Sequence, residues 1–216
     1  MAWESIWEAR EMLLSGLLAT LLVAAVSLVT ATALGTAVGV LRARRVSWLN
    51  GFLRGYVEIF RGSPLLVQLL LIYFGAAYAG VHGVSPFVAV VIGLTLYEGA
   101  YIAEIVRAGI EATPVGQEEA SRSLGLTKLQ QLWWVILPQA FRIILPALIG
   151  QWTALIKDSA LASVIGYTDL LKTAQSLYAR TGTPFEVLLV VAVAFFIICL
   201  PLTLTARWLE KRGARS

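Results

Sequence analysis

Few residues in this chain could do chemistry, and the most telling ones sit where charge is costly. Glu98, Lys157 and Asp158 interrupt stretches made otherwise of apolar and small residues, with Tyr101 three positions past Glu98 and Gln151 seven before Asp158. An ionisable group at membrane depth costs several kcal/mol, roughly, and is kept for a pathway or a partner. On a helix Gln151, Leu155 and Asp158 share one face at i, i+4 and i+7, with Lys157 at its edge. A lining with Asp158 and Gln151 beside Lys157 suits a zwitterion, whose ammonium and carboxylate would each find a partner. The structural alternative is a polar knot at a subunit interface, with Lys157 reaching a carbonyl. Glu98 and Tyr101 also share a face, and Glu98 would either favour a substrate with a basic group or balance Lys157. No Ser/His or His/Cys/carboxylate constellation accompanies these residues, which argues against an intramembrane enzyme. The single histidine, His82, has no second ligand at metal spacing, and the single cysteine, Cys199, allows no disulfide.

The elements that must hold these groups are apolar. Of 216 residues, 58% are hydrophobic and 14% charged, against about 25% charged in soluble domains, so the solvent to be matched is lipid. Residues 12–41 carry no charge, which exceeds the roughly 20 residues needed to cross the hydrocarbon. The uncharged run 62–97 is too long for one crossing and is divided by a turn cluster from Gly80 to Pro86. The pattern predicts an all-α membrane protein with five helices, at about 12–41, 60–79, 86–106, 140–165 and 186–207. The fourth must tolerate Lys157 and Asp158. Residues 1–11 have an acidic balance unlike a signal peptide and read as an interfacial segment before a retained first span. Residues 211–216 read as a tail. With the N-terminus outside and the C-terminus inside, thirteen of the 17 Lys and Arg residues fall on the inner side, as the positive-inside bias requires. Their +4 excess therefore reports orientation and not nucleic acid. Trp3, Trp7, Trp48, Trp133, Trp134 and Trp208 lie near span ends as interfacial anchors, whereas Trp152 lies deeper. Gly35 and Gly39 form a Gly-x-x-x-Gly packing face.

The segment 107–142 is more polar than its surroundings, and its helix punctuation is legible. Thr113 and Pro114 suit an N-cap and a first helical position, Gly125 suits a left-handed stop, and Thr127 with Gln130 suits a capping box. Two short helices should meet at a glycine corner, the second broken near Pro138 because proline lacks the amide donor. Ser63 and Pro64 suit the same N-cap and first-turn roles at the second span. Arg122 can pair with Glu118 or Glu119, and Glu104 with Arg107 reads as an ion pair that orients this loop.

Glu119-Ala-Ser, then Gly125, then Val135, Leu137 and Pro138 resemble the EAA loop of ABC importer permeases, whose pattern is Glu-Ala-Ala, three residues, Gly, nine residues, Ile-x-Leu-Pro. Ser121 and Val135 are small departures from it. Arg61-Gly-Ser-Pro-Leu-Leu-Val-Gln68, Ala103-Glu-Ile-Val-Arg-Ala-Gly109 leading into Gly116-Gln117, and Leu155-Ile-Lys-Asp-Ser-Ala-Leu161 are similar to the polar amino acid branch of that family. The resemblance runs from about 12 to 210, with the EAA loop at about 109–138. It implies the type I importer transmembrane fold in a bacterial cytoplasmic membrane. The implied partners are an identical or paralogous permease, two ATPase subunits inside and a solute-binding protein outside. It implies ATPase coupling through Gln117, Glu119, Ala120, Gly125, Leu137 and Pro138. Solute contacts are implied on the helix around Gln151, Lys157, Asp158 and Ser159, with Glu98 and Tyr101 opposite. Glu98 stands where the resemblance leads one to expect a small uncharged residue. No Walker A pattern G-x-x-x-x-G-K-[ST] occurs in the chain, so ATP and Mg would be bound by the partner ATPase and no cofactor by this chain. The competing reading is a stand-alone secondary transporter relaying protons through Glu98, Lys157 and Asp158, which would have no need of a docking knob.

Overall fold

The computed structural model describes residues 2–44, 47–81 and 83–213; His82, Arg45 and the tail beyond 213 lie outside the described residues. The described chain is helical throughout. Helix α1 (Ala2–Glu8) leads into α2 (Arg10–Ala43), followed by α3 (Ser47–Gly62), α4 (Leu65–Tyr78) and α5 (Pro86–Glu111). Then come α6 (Val115–Ser123), α7 (Lys128–Gln130), a π-helical turn (Gln131–Ile136), α8 (Leu137–Asp158), a 3-10 segment (Ser159–Ile165), α9 (Leu170–Thr181) and α10 (Pro184–Gly213). Four stretches are long and apolar enough to cross a membrane, namely Arg10–Ala43, Pro86–Glu111, Lys128–Ile165 and Pro184–Arg212.

The expected second span is where sequence and structure part. Helices α3 and α4 form a pair bent by 107°, and the 14 residues of α4 rise only about 21 Å at 1.5 Å each. The bend is set by Ser63 and Pro64, in roles other than those expected. Pro64 is extended (ψ 133°) and is itself the N-cap residue of α4. The Ser63 hydroxyl donates back to the Ile59 carbonyl at 2.8 Å, closing α3. Buried Gln68 then clamps the corner, its Nε2 donating to Phe60 O (2.9 Å), Ser63 O (3.2 Å) and Ser63 Oγ (2.8 Å). The crossing exists only if the bent pair is counted as one unit. Helix α9 and the first half of α3, at mixed polarity, are elements that hydropathy does not announce.

Helices α2 and α5 make the most extensive contact of the bundle, and glycine permits it. A Cβ on Gly35 would lie 2.7 Å from the Gly99 carbonyl, and one on Gly39 would lie 2.7 Å from the Ala103 carbonyl. The Gly-x-x-x-Gly face is thus used within the chain. Ala31, Ala100 and Ala103 are fully buried along the same seam, and Thr30 and Thr95 hydroxyls bond across it at 2.5 Å. Small residues let backbones approach and gain dispersion, the main attraction left once lipid replaces water. Helix α8 joins this core through Ala140, Ile144, Leu148, Leu155 and Ile156, and α10 through Cys199.

The two ends of the bundle are closed differently. At the end away from α6, Leu170 N–H donates to Thr20 Oγ1 (3.0 Å) and the Tyr167 hydroxyl to the Ala19 carbonyl (3.0 Å). Asp169 caps α9 by accepting from Lys172 N–H at 2.7 Å and is fully buried. Burial pushes its carboxyl up to about 6, against backbone amides that pull it down.

Candidate functional site

Two polar sites stand out, one at the α6 end of the bundle and one inside it. The first is built almost wholly from local signals. Helix α6 ends in a Schellman motif: Gly125 takes φ 76°, Leu126 N–H donates to Ser121 O (3.2 Å) and Gly125 N–H to Arg122 O (2.9 Å). The capping box follows, with Gln130 N–H donating to Thr127 Oγ1 (3.4 Å) and Thr127 N–H to Gln130 Oε1 (2.9 Å). One expected detail shifts. Helix α6 begins at Val115, with extended Pro114 as the N-cap residue and no side-chain cap, and the Thr113 hydroxyl makes no hydrogen bond.

The expected break near Pro138 does not occur. The helix widens instead into the π-helical turn Gln131–Ile136 and continues as α8, with proline in its first turn. Widening moves the chain past the position where a proline would clash with the carbonyl four residues earlier and where its amide would be missed. The knob is therefore continuous with a membrane helix, and four further hydrogen bonds tie it down. Gln139 Nε2 donates to Gln117 Oε1 (3.2 Å) and Val135 O (2.9 Å), buried Gln131 Nε2 donates to Leu126 O (2.8 Å), and Arg44 Nη2 donates to Lys128 O (3.0 Å). Glu118 takes the Arg122 ion pair at 2.9 Å, which leaves Glu119 exposed with no ion pair among the described residues. Ala120, Gly125 and Pro138 are exposed beside it and Leu137 is half-buried.

Behind the knob, Glu104 joins Arg107 (2.8 Å) as its spacing predicts, and also Arg42 of α2, while Arg107 reaches Glu111 at 2.5 Å. Arg42 lies 62 positions from Glu104, so no local pattern could have assigned it. These groups, with Arg54, Arg61 and Tyr101, line a cleft of about 640 Å³ between α3 and α5.

The second site lies midway along the bundle. Glu98 of α5 is fully buried, its Oε2 accepts from Gln151 Nε2 of α8 at 2.5 Å, and the half-buried Asp158 carboxyl is near enough to interact with it electrostatically. Glu98, Gln151 and Asp158 are thus brought together across 53 and more positions of sequence. Tyr101 lies on the cleft side, with Arg61 stacked on its ring at 5.0 Å and Tyr97 beside it, hydroxyls 3.4 Å apart. Tyr97 was missed by sequence reasoning, although its i, i+4 spacing to Tyr101 marked it. Lys157 and Ser159 make no hydrogen bond or ion pair with this group, although the Lys157 charge still acts on Asp158. Lys157 is exposed in a groove of about 550 Å³ against α10, with Cys199, Thr203 and Arg207, so it does not balance Glu98. The Ser159 hydroxyl is buried and donates to Ile156 O at 2.7 Å. Trp152 packs, donating to Thr32 Oγ1 at 3.1 Å.

Comparison with known proteins converges on one family. Residues 31–215 match the binding-protein-dependent transport system inner membrane component family. The chain is 37% identical over 208 residues to a probable glutamine ABC transporter permease protein, GlnM, of Bacillus subtilis, covering 95% of this chain and 94% of that one. It is 33% identical over 219 residues to the glutamate/aspartate import permease protein GltK of Escherichia coli, covering 98% of each. Among solved structures, that of an amino acid ABC transporter with histidines superposes with a TM-score of 0.88 at 36% identity, over 96% of this chain and 97% of that one. The MetNI methionine ABC transporter in an inward-facing conformation superposes with a TM-score of 0.74 at 25% identity, over 94% and 98%. These likenesses favour an importer subunit and give no support to a stand-alone transporter. With a match over residues 31–215 and several apolar helices, the chain belongs to the inner membrane components of binding-protein-dependent transport systems, the multi-pass permease subunits of ABC importers.

Proposed function

We propose that this chain is the permease subunit of an ABC importer for polar amino acids, driven by ATPase subunits that dock on α6. The observation that carries this is the knob. A nine-residue helix with an exposed unpaired carboxylate is fixed by a Schellman corner, a capping box and the Gln117–Gln139 bond to the foot of a membrane helix. Such a part transmits a push without bending. Glu119 and Ala120 present the contact surface, Gly125 sets the angle, Gln117 ties α6 to α8, and Leu137 and Pro138 carry motion from the π-helical turn into α8. ATP and Mg are held by two partner ATPase subunits, and ATP hydrolysis belongs to them. An extracytoplasmic binding protein delivers solute, and two permease chains, identical or paralogous, form the pathway.

In this reading residues 12–210 are the transmembrane domain with five crossings, α3–α4 counting as one. The N-terminus faces outward and the C-terminus inward, an orientation supported by the basic residues at the α6 end. Glu98, Gln151 and Asp158 contact the solute and Tyr101 lines its way to the cleft, while Ser159 fixes the end of α8. Lys157, facing α10, meets a partner chain or a lipid headgroup. The relatives' names, glutamine and glutamate/aspartate permeases, support the amino acid class. The test is co-purification with the ATPase and ATP-dependent uptake in proteoliposomes. Glu119→Lys should remove both while leaving the permease folded. Uptake by this chain alone, without nucleotide, would sink the proposal.

A further inference from the structure

Two cations at the α6 end of the bundle have no carboxylate to meet. Arg44, just past the end of α2, and Lys128, at the start of α7, form no ion pair among the described residues, and Arg44 donates to the Lys128 carbonyl at 3.0 Å. Both line a pocket of about 310 Å³ behind the knob. The two carboxylates that share it, Glu111 and Glu118, are held by Arg107 and Arg122. The Thr113 hydroxyl in the same pocket is buried with no hydrogen-bond partner among the described residues, and α6 opens onto it at Pro114 and Val115 with no side-chain cap. Free cations, an unused hydroxyl and uncapped amides together favour an anion.

One turn deeper the same edge of the molecule is apolar. A groove of about 830 Å³ runs between α2 and the π-helical turn with α8, walled by Val29, Ala33, Thr36, Ala37, Trp133 and Trp152. Val29 and Trp133 are 66% and 60% exposed, and Trp152, bonded to Thr32, closes the deeper end. The α2 wall repeats at 29, 33, 36 and 40, and the next position on that face is Arg44. From Leu28 to Leu41 this wall rises about 20 Å at 1.5 Å per residue, enough to flank one leaflet of a hydrocarbon core about 30 Å thick. Groove and pocket thus form one site with an apolar length and a cationic end.

We propose that this site binds one anionic phospholipid of the inner leaflet, its phosphate at Arg44 and Lys128 and an acyl chain along α2; this rests on the proposed function only for placing the knob on the inner side. Charge complementarity selects the occupant. An apolar helix of a second chain would fill the groove and leave both cations unmatched, and a zwitterionic lipid would bring its own ammonium to them. A phosphatidylglycerol headgroup brings a net negative charge. Held there, the lipid bridges the first span to the knob, along the line of the Arg44 contact with Lys128.

The test is native mass spectrometry of the permease with its ATPase partner, released from detergent that contains equimolar phosphatidylglycerol and phosphatidylethanolamine of matched chains. One phosphatidylglycerol per permease chain should be retained, enriched at least about fivefold over phosphatidylethanolamine. The double variant Arg44→Gln/Lys128→Gln should erase that preference, Arg44→Lys should keep it, and Ala37→Phe, which fills the groove, should lower retention of both lipids. Size-exclusion chromatography and thermal unfolding check that the variants fold; if the double variant does not, wild-type enrichment and Ala37→Phe decide. Equal retention of the two lipids, or enrichment that survives the folded double variant, overturns the inference. Displacement of the lipid by an equal concentration of glycerol 3-phosphate also overturns it, making the site one for a free anion. Retention unchanged in Ala37→Phe does the same, and loss of the permease pair in that variant would put a second chain in the groove. ATP-dependent uptake of an amino acid without lipid enrichment defeats this inference alone, whereas enrichment without such uptake defeats the proposed function alone.

Discussion

The knob around α6 and the carboxyl site between α5 and α8 are both polar, yet they are made in opposite ways. The knob is assembled from neighbours in sequence: a glycine with positive φ, a Thr127–Gln130 box, an Arg122–Glu118 pair four apart. Water satisfies whatever remains. The carboxyl site is assembled from groups 53 and 60 positions away from Glu98, around a carboxyl fully buried from water. The difference teaches where each kind of error is felt. A fault in the knob should cost coupling and spare the fold, while a fault in the bundle should cost the fold or the solute.

The strongest test of that contrast is steric. Gly39→Leu places a side chain where even a Cβ would lie 2.7 Å from the Ala103 carbonyl; overpacking costs about 1–3 kcal/mol or more. Folded, monodisperse protein in detergent should be lost or fall steeply, as size-exclusion chromatography would report. Next, Gly125→Val forces a β-branched residue into φ 76°, a left-handed penalty of about 1–2 kcal/mol. The knob should reorient, with solute-stimulated ATP hydrolysis falling at least about tenfold while solute binding by the permease is kept. If binding and coupling fell together, the two regions would not be separable in the way described. Gln139→Ala removes the Gln117 bond and should lower coupling by about fivefold, the value of roughly one hydrogen bond.

The smallest effect concerns the far end. Asp169 titrates near 6 in the fold and near 3.9 when unfolded. Between those values the folded state holds a proton that the unfolded chain has lost. Stability should therefore decline as pH rises from about 4 to about 6 and level off above. Thermal unfolding across that range should show the decline in wild type and less of it in Asp169→Asn, which keeps the cap on Lys172 N–H.

Much of this was legible beforehand because the information was local. The capping box, the left-handed glycine, the Arg122 pair and the apolar stretches are each written within a few positions, where helix periodicity and backbone sterics act. What escaped was long-range or cooperative. Ser63 closes α3 instead of opening α4, because Gln68 and the corner backbone are better served that way. Pro138 follows a widened turn instead of ending the helix, because the π-helical turn Gln131–Ile136 lets the chain run on into α8 with proline in its first turn. Arg42 joins Glu104 only because the Gly35 and Gly39 face lets α2 lie against α5.

By itself the sequence determined that the chain is helical and lipid-embedded, and that the segment 107–142 holds two short helices meeting at a glycine corner, with the pattern of an ATPase-docking loop at about 109–138. Hydropathy and capping chemistry decide those points one helix at a time. Only the tertiary structure decided which charges meet. It joined Gln151 to Glu98 and set Asp158 near them, turned Lys157 toward α10, and left Glu98 Oε1 without a donor. A helix fixes the direction of a side chain, but only the packing of another helix fixes what that side chain faces.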